Sequence, residues 1–154
     1  GVENEKWAYT SADGTRVTSS AAADEEWHQI VLSHYTARGE TLFFVDGKLA
    51  GTVAERLEPN RFVIGGPGSA NGTAAPKEAD YKDVFLFRSA LNPDEVAVLN
   101  QGKVLQSSLE VYAPLVDTQF RPGLIVENRA QSMTGLKIGS GRIVHVDDNV
   151  RQPR

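Results

Sequence analysis

Histidines, acidic side chains and exposed aromatic rings are the groups in this sequence that could do chemistry. The three histidines are His28, His34 and His145. No H-x-H or H-E-x-x-H pair occurs, so a zinc site is not expected. A general base needs a partner and a pocket, and no nucleophile lies near His28 in the sequence. His28 is therefore expected to hydrogen-bond a neighbouring strand or loop. Ser-His-Asp hydrolysis needs an elbow of the G-x-S-x-G type, and Gly139-Ser140-Gly141 lacks that spacing. Gly65-Gly66-Pro67-Gly68 is not followed by the lysine and helix of a phosphate loop.

Sugar binding needs aromatic faces to stack on pyranose rings, with amides and carboxylates around them. Trp7, Tyr9, His34, Tyr35 and Tyr81 are the ring candidates, and Asn71 is the amide candidate. The competing role for each ring is that of a half-buried sheet residue. Calcium takes about six to eight oxygens from several loops. Asp80 and Asp83 are the foremost candidates, with Asn71, Asp117 and Asn128 eligible by type. Asp83 has a plainer alternative role, bonding the turn into its strand. Asp46, in Asp-Gly, is a turn residue. No cofactor other than calcium is suggested. Asn71-Gly72-Thr73 is formally a glycosylation sequon, relevant only to a secreted eukaryotic protein.

These residues must be positioned by a chain of 154 residues, long enough for one domain with a real core. Apolar residues make up 40% and charged residues 23%, with a net charge of −4 and no basic stripe. Nucleic acid is thus not an expected partner. The absence of cysteine excludes disulfides and thiolate chemistry. No apolar run reaches the roughly 20 residues of a membrane helix.

Strand signals recur at short spacing between Gly, Asn, Asp and Pro, the pattern of an all-β fold. Expected strands are Lys6–Thr10, Arg16–Ser20, Trp27–Tyr35, Thr41–Val45, Lys48–Val53, Asn60–Ile64 and Tyr81–Arg88. Asp13-Gly14, Gly39 and Asp46-Gly47 mark hairpins. On Trp27–Tyr35, His28, Ile30, Leu32 and His34 share one face, and the odd positions share the other. Residues 65–78 read as a long surface loop. One helix is expected, with Asn92 as N-cap, Pro93 first, Asp94-Glu95 at the positive end, Val96 and Leu99 inward, and Gly102 as the stop. Glu110–Val116, Gly123–Val126, Leu136–Ile138 and Arg142–Val146 follow as short strands.

The order of three stretches carries a resemblance. W-H-x-I leads through L-F-F-V-D-G-K-L-A-G over Trp27–Gly51, then F-V-I-G-G over Phe62–Gly66, then Y-K-D-V-F-L-F-R-S-A-L-N-P-D-E-V-A-V-L over Tyr81–Leu99. In order and spacing this resembles the second half of a laminin G-like domain of the concanavalin A-like lectin and glucanase superfamily. The resemblance covers roughly half the chain. It implies an all-β, two-sheet antiparallel jelly-roll sandwich with one short helix, and it implies that Trp27 is structural, covering the end of the sandwich. A complete member carries several strands before the Trp-His strand, whereas only 26 residues precede Trp27. The missing opening segment resembles Val111–Asp117 with Glu127–Ser132 and Gly135-Leu136. The fold is then circularly permuted or truncated. In the first case residues 109–146 complete a sandwich over 1–146, with 147–154 a tail; in the second, Leu109 begins another copy.

Glucanases of this superfamily carry paired carboxylates on one strand, in E-x-D-x-E or E-x-D-x-x-E spacing, to serve as acid and nucleophile. Neither pattern occurs; Asp24-Glu25-Glu26 are consecutive, and Glu3 and Glu5 lie in an end expected to fray. The domain is therefore not expected to be an enzyme. The resemblance implies a non-catalytic carbohydrate-binding accessory of an exported, extracellular or periplasmic bacterial protein. The alternative is a structural or interaction module packing against a catalytic neighbour or, as a homodimer, its own copy. No membrane insertion is expected.

Overall fold

The computed structural model describes residues 1–57, 80–115, 125–132 and 136–137. The chain is mostly β with one short helix. Its elements are β1 (Val2–Glu3), β2 (Lys6–Thr10), β3 (Arg16–Ala22), β4 (Ile30–Tyr35), β5 (Glu40–Val45), β6 (Lys48–Ala54), β7 (Val84–Phe87), α1 (Pro93–Asn100), β8 (Leu109–Ala113), β9 (Ile125–Val126) and β10 (Leu136–Lys137). They fall into two compact units, one holding β1–β6 with α1 and the other holding β7–β10. Among the described residues the strands form four small antiparallel sheets, β1-β2-β3, β4-β5-β6, β7-β8 and β9-β10. The two continuous sheets of a jelly roll are not resolved. The expected strands Asn60–Ile64 and Arg142–Val146, and the loop 65–78, lie outside the described residues.

In the first unit the turns follow from backbone chemistry. Val45 pairs with Lys48 across Asp46-Gly47, whose φ values of 52° and 75° are both positive, the requirement of the favoured two-residue hairpin. Glu3 pairs with Lys6 across Asn4-Glu5 in the same way, with φ 47° and 59°. This corrects the expectation of a frayed end: Val2 and Glu3 form a strand, and Glu3 also pairs with Arg16 on β3. No glycine advertises that turn.

Strand β5 pairs with β4 along its whole length on one side and with β6 on the other. Thr41, Phe43, Phe44 and Val45 expose 3% or less, so this strand is buried on both faces, as a short continuous apolar run can be. Toward one face come β2 and β3. The Tyr9 ring lies 6.1 Å from the Phe43 ring, and Val17 sits against Gly51. On the other face Ser33 and Tyr35 both donate hydroxyl bonds to the Leu91 carbonyl, at 2.7 and 3.0 Å. That carbonyl immediately precedes α1. Asn92 and Glu95 close a reciprocal capping box, Pro93 opens the helix, and Val96 and Leu99 are buried.

Two expectations for β4 are corrected. The strand begins at Ile30 rather than Trp27, because the backbone of Gln29 is bonded to Asp46 outside the ladder, N–H to carboxylate and C=O to N–H. Trp27 precedes the strand and is 46% exposed, more than the covering role expected of it implies. Ile30 and Leu32 are also exposed, at 43% and 48%, so the even face of β4 is covered less than its neighbours Phe43 and Val45.

In the second unit β7 pairs with β8, placing Phe85 against Tyr112 with rings 4.6 Å apart. Strand β7 is shorter than Tyr81–Arg88 because Asp83 has φ 51°, which ends the extended chain before Val84. Strand β8 stops at Ala113 because Pro114 has no N–H to donate and Leu115 has φ 54°. Along the other side of β8, Asn128 accepts from Tyr112 N–H and donates to the Glu110 carbonyl, and Arg129 N–H reaches the Tyr112 carbonyl. An amide side chain and one peptide thus continue the ladder where no strand does among the described residues.

The close approach of Val17 to Gly51 gives a test. A Cβ on Gly51 would stand 2.9 Å from both Cβ and Cγ1 of Val17. Gly51→Ala should therefore lower unfolding stability by about 1–3 kcal/mol, the usual cost of forcing extra volume into a packed site. Denaturant unfolding measures it, and an unchanged midpoint would contradict the β3–β6 contact.

Candidate functional site

The chemistry-bearing side chains of the first unit gather in two polar clusters beside β5. The first forms on the face that carries Thr41, Phe43 and Val53. Thr41 is completely buried, so its hydroxyl needs partners inside the protein. His34 Nδ1 lies 3.0 Å from Thr41 Oγ1, and His34 Nε2 receives the Leu57 N–H at 3.4 Å. Because Nε2 accepts, Nδ1 carries the hydrogen and donates to Thr41. Leu57, His34 and Thr41 are thus joined in one direction, and beside them Tyr9 OH donates to Glu55 Oε1 at 2.5 Å. Burial, and then the Glu55 bond, push the Tyr9 hydroxyl far above the ordinary phenol range. Glu55 Oε2 is buried with no hydrogen-bond partner.

The second cluster stands where β4 begins. His28 Nδ1 lies 2.8 Å from Asp46 Oδ2, and His28 Nε2 lies 2.9 Å from Asp24 Oδ1. Asp46 also accepts the Gln29 N–H through Oδ1 at 3.0 Å. The Trp7 ring packs on the imidazole with centroids 5.5 Å apart, and Trp7 Nε1 is buried without a partner. The expectation that His28 bonds a neighbouring loop holds. Asp46 is a turn residue, as its Asp-Gly context says, and it also fixes His28.

The ring candidates therefore separate. His34 bonds Thr41, and Tyr9 bonds Glu55. Tyr35 alternates to the opposite face, where its hydroxyl binds Leu91 and the Arg38 guanidinium lies 4.7 Å from its ring centre. Trp7 belongs to the His28 cluster. Tyr81, in the second unit, is 47% exposed. Asn71 lies outside the described residues. Sequence reasoning missed Thr41 and Glu55, because the Tyr9–Glu55 partners are 46 residues apart. It also missed Trp27 as an exposed ring.

Of the calcium candidates, Asp83 accepts from the Tyr112 hydroxyl at 3.1 Å, and Asp80 is engaged in an interaction of its own. Asn128 spends its oxygen on the N–H groups of Tyr112 and Ala130. No group of three or more acids and histidines able to hold a metal occurs among the described residues. No helix among them is long and apolar enough to cross a membrane.

No family model matches the sequence, and no curated protein matches it. Its fold is similar to a known one. A crystal structure from Bacteroides ovatus, described as a "putative carbohydrate binding protein", superposes on 88% of this chain with a TM-score of 0.58 at 15% identity. A domain of an S-layer domain-containing protein from Clostridium thermocellum matches 62% of the chain with a TM-score of 0.44 at 20% identity. The chain spans 43% of the Bacteroides protein and 50% of the Clostridium domain. At these identities the Bacteroides likeness is one of fold.

The Tyr9–Glu55 bond has a measurable worth. Tyr9→Phe leaves the half-buried Glu55 carboxylate without its donor and should destabilise the chain by about 1–3 kcal/mol, the cost of an unsatisfied polar group. Chemical denaturation checks this. Stability equal to wild type would mean that the bond is not formed.

Proposed function

We propose that this chain is a non-catalytic, lectin-like carbohydrate-binding domain, an accessory of an exported bacterial protein that works outside the cytoplasm. The observation that carries the reading is the fold likeness to the Bacteroides protein over most of the chain. Fold analogy is a weak guide to ligand, so the site must rest on residues. Trp27 is 46% exposed, and Ile30 and Leu32, which follow it in the chain, are exposed as well. An exposed indole suits the apolar face of a sugar ring. Tyr81 is a second exposed ring in the other unit. Trp7, Tyr9, His34 and Tyr35 act as framework in this reading, since their polar atoms are bonded within the protein or buried. The same internal bonding supports a non-catalytic role.

The architecture proposed is a laminin G-like sandwich over residues 1–146, with 109–146 supplying the strands that normally open the fold and 147–154 a tail. Pairing of β8 with β7 supports it, because the segment resembling the opening joins a strand of the main motif. A second reading is an interaction module that binds no sugar. The exposure of Ile30 and Leu32 on the even face of β4 favours it, since exposed apolar groups side by side suit a protein partner.

A glycan array separates the two. The full chain should bind at least one glycan class, with signal unaffected by chelator, lost in Trp27→Ala or reduced in Tyr81→Ala. A blank array from protein shown to be folded would overturn the lectin reading and favour the interaction module.

A further inference from the structure

His28 is placed between two carboxylates, one on each ring nitrogen. Nδ1 faces Asp46 in the β5–β6 turn and Nε2 faces Asp24 in the loop that follows β3. Ionised carboxylates only accept, so both nitrogens must donate, and only the imidazolium has two N–H groups. The two acids differ in how firmly they are held. Asp46 is part of a tight turn and also accepts the Gln29 N–H. Asp24 has a side chain 52% exposed and otherwise caps only Glu26 N–H in its own loop. The His28 side chain itself is 12% exposed.

We propose that His28 is a pH-operated latch: as imidazolium it ties the Asp24–Trp27 loop to the β5–β6 turn, and on losing a proton it keeps Asp46 and releases Asp24. The proton lost is that on Nε2. The remaining Nδ1–H still donates to Asp46, while Asp24 would face a lone pair. The elements around His28 supply these charges: Asp24, with Glu25 and Glu26 exposed in the same loop; Asp46, with Lys48 exposed just beyond the turn; and, from β2, the uncharged Trp7 ring, with Lys6 exposed beside it. The Asp46 bond, aided by the Asp24 bond and opposed by burial, raises the His28 pKa above the ordinary histidine value. The His28 bond lowers that of Asp24 in return. Because the folded value is raised, the stabilisation is complete below the ordinary histidine value and is lost as pH rises through the folded one. The latch is closed below the raised His28 value and opens above it. Trp27, on the released loop, gains freedom on opening.

Two-dimensional 15N NMR of the imidazole in the full chain tests this from about pH 5 to about pH 9, the span that brackets histidine titration. Below the midpoint both His28 nitrogens should carry hydrogen, and the midpoint should lie above the ordinary value. Above it, Nδ1 alone should remain protonated, the Glu26 and Trp27 amides should shift, and the Gln29 amide should not. Asp24→Asn, on an exposed loop, should fold normally and lower the midpoint. Asp46→Asn should lower it further, and asparagine tolerates the positive φ of that turn. A midpoint at or below the ordinary histidine value, or one unmoved by Asp24→Asn, would overturn the latch.

Discussion

Strand β5 is enclosed from both faces, and much of the first unit can be understood from that constraint. A Leu-Phe-Phe-Val run cannot leave alternate side chains in water without losing about 1.5–3 kcal/mol for each large apolar group left uncovered. It needs two neighbours in its sheet and cover above and below. Strands β4 and β6 supply the first, joined to it by turns whose residues accept positive φ. Strands β2 and β3 come over one face closely enough that only glycine fits at position 51. On the other face, two hydroxyls of β4 hold the chain at Leu91, where a capped helix with Val96 and Leu99 buried begins.

Burial of the strand has a polar consequence. Thr41 carries a hydroxyl into a site with no exposure, and an unsatisfied hydroxyl there is costly. His34, itself held by the Leu57 N–H, answers that need, and beside it the Tyr9–Glu55 bond ties β2 to the residue that follows β6. The turn after β5 is used similarly. Asp46 accepts from Gln29 and holds His28, so the entry to β4 is fixed by the exit from β5. Groups that resemble catalytic residues by type are thereby committed to the architecture, while the apolar groups outside it, Trp27, Ile30 and Leu32, are exposed.

The sequence made local structure legible where local chemistry decides it. Lys6–Thr10 and Pro93–Asn100 stand at their expected boundaries, because turn and cap residues flank them. The Asn4-Glu5 turn was hidden because neither residue is glycine. The shortness of β7 was hidden because Asp83 shows no sign in the sequence of a left-handed backbone. Tyr9 and His34 could be named as candidates, but Thr41 and Glu55 could not, since what joins them is contact between distant strands. Trp27 was misplaced for a related reason: a tryptophan beside an apolar run suggests burial, yet the run begins three residues later, after a segment set by Asp46.

Native-state hydrogen exchange tests most directly whether the sealed strand organises the first unit. The amides of Thr41–Val45 should be the slowest in that unit and should exchange only through global unfolding, with an opening free energy equal to that from denaturant unfolding. If they exchanged through a smaller opening, faster than amides of β2 and β3, β5 would not be the element on which the rest is built.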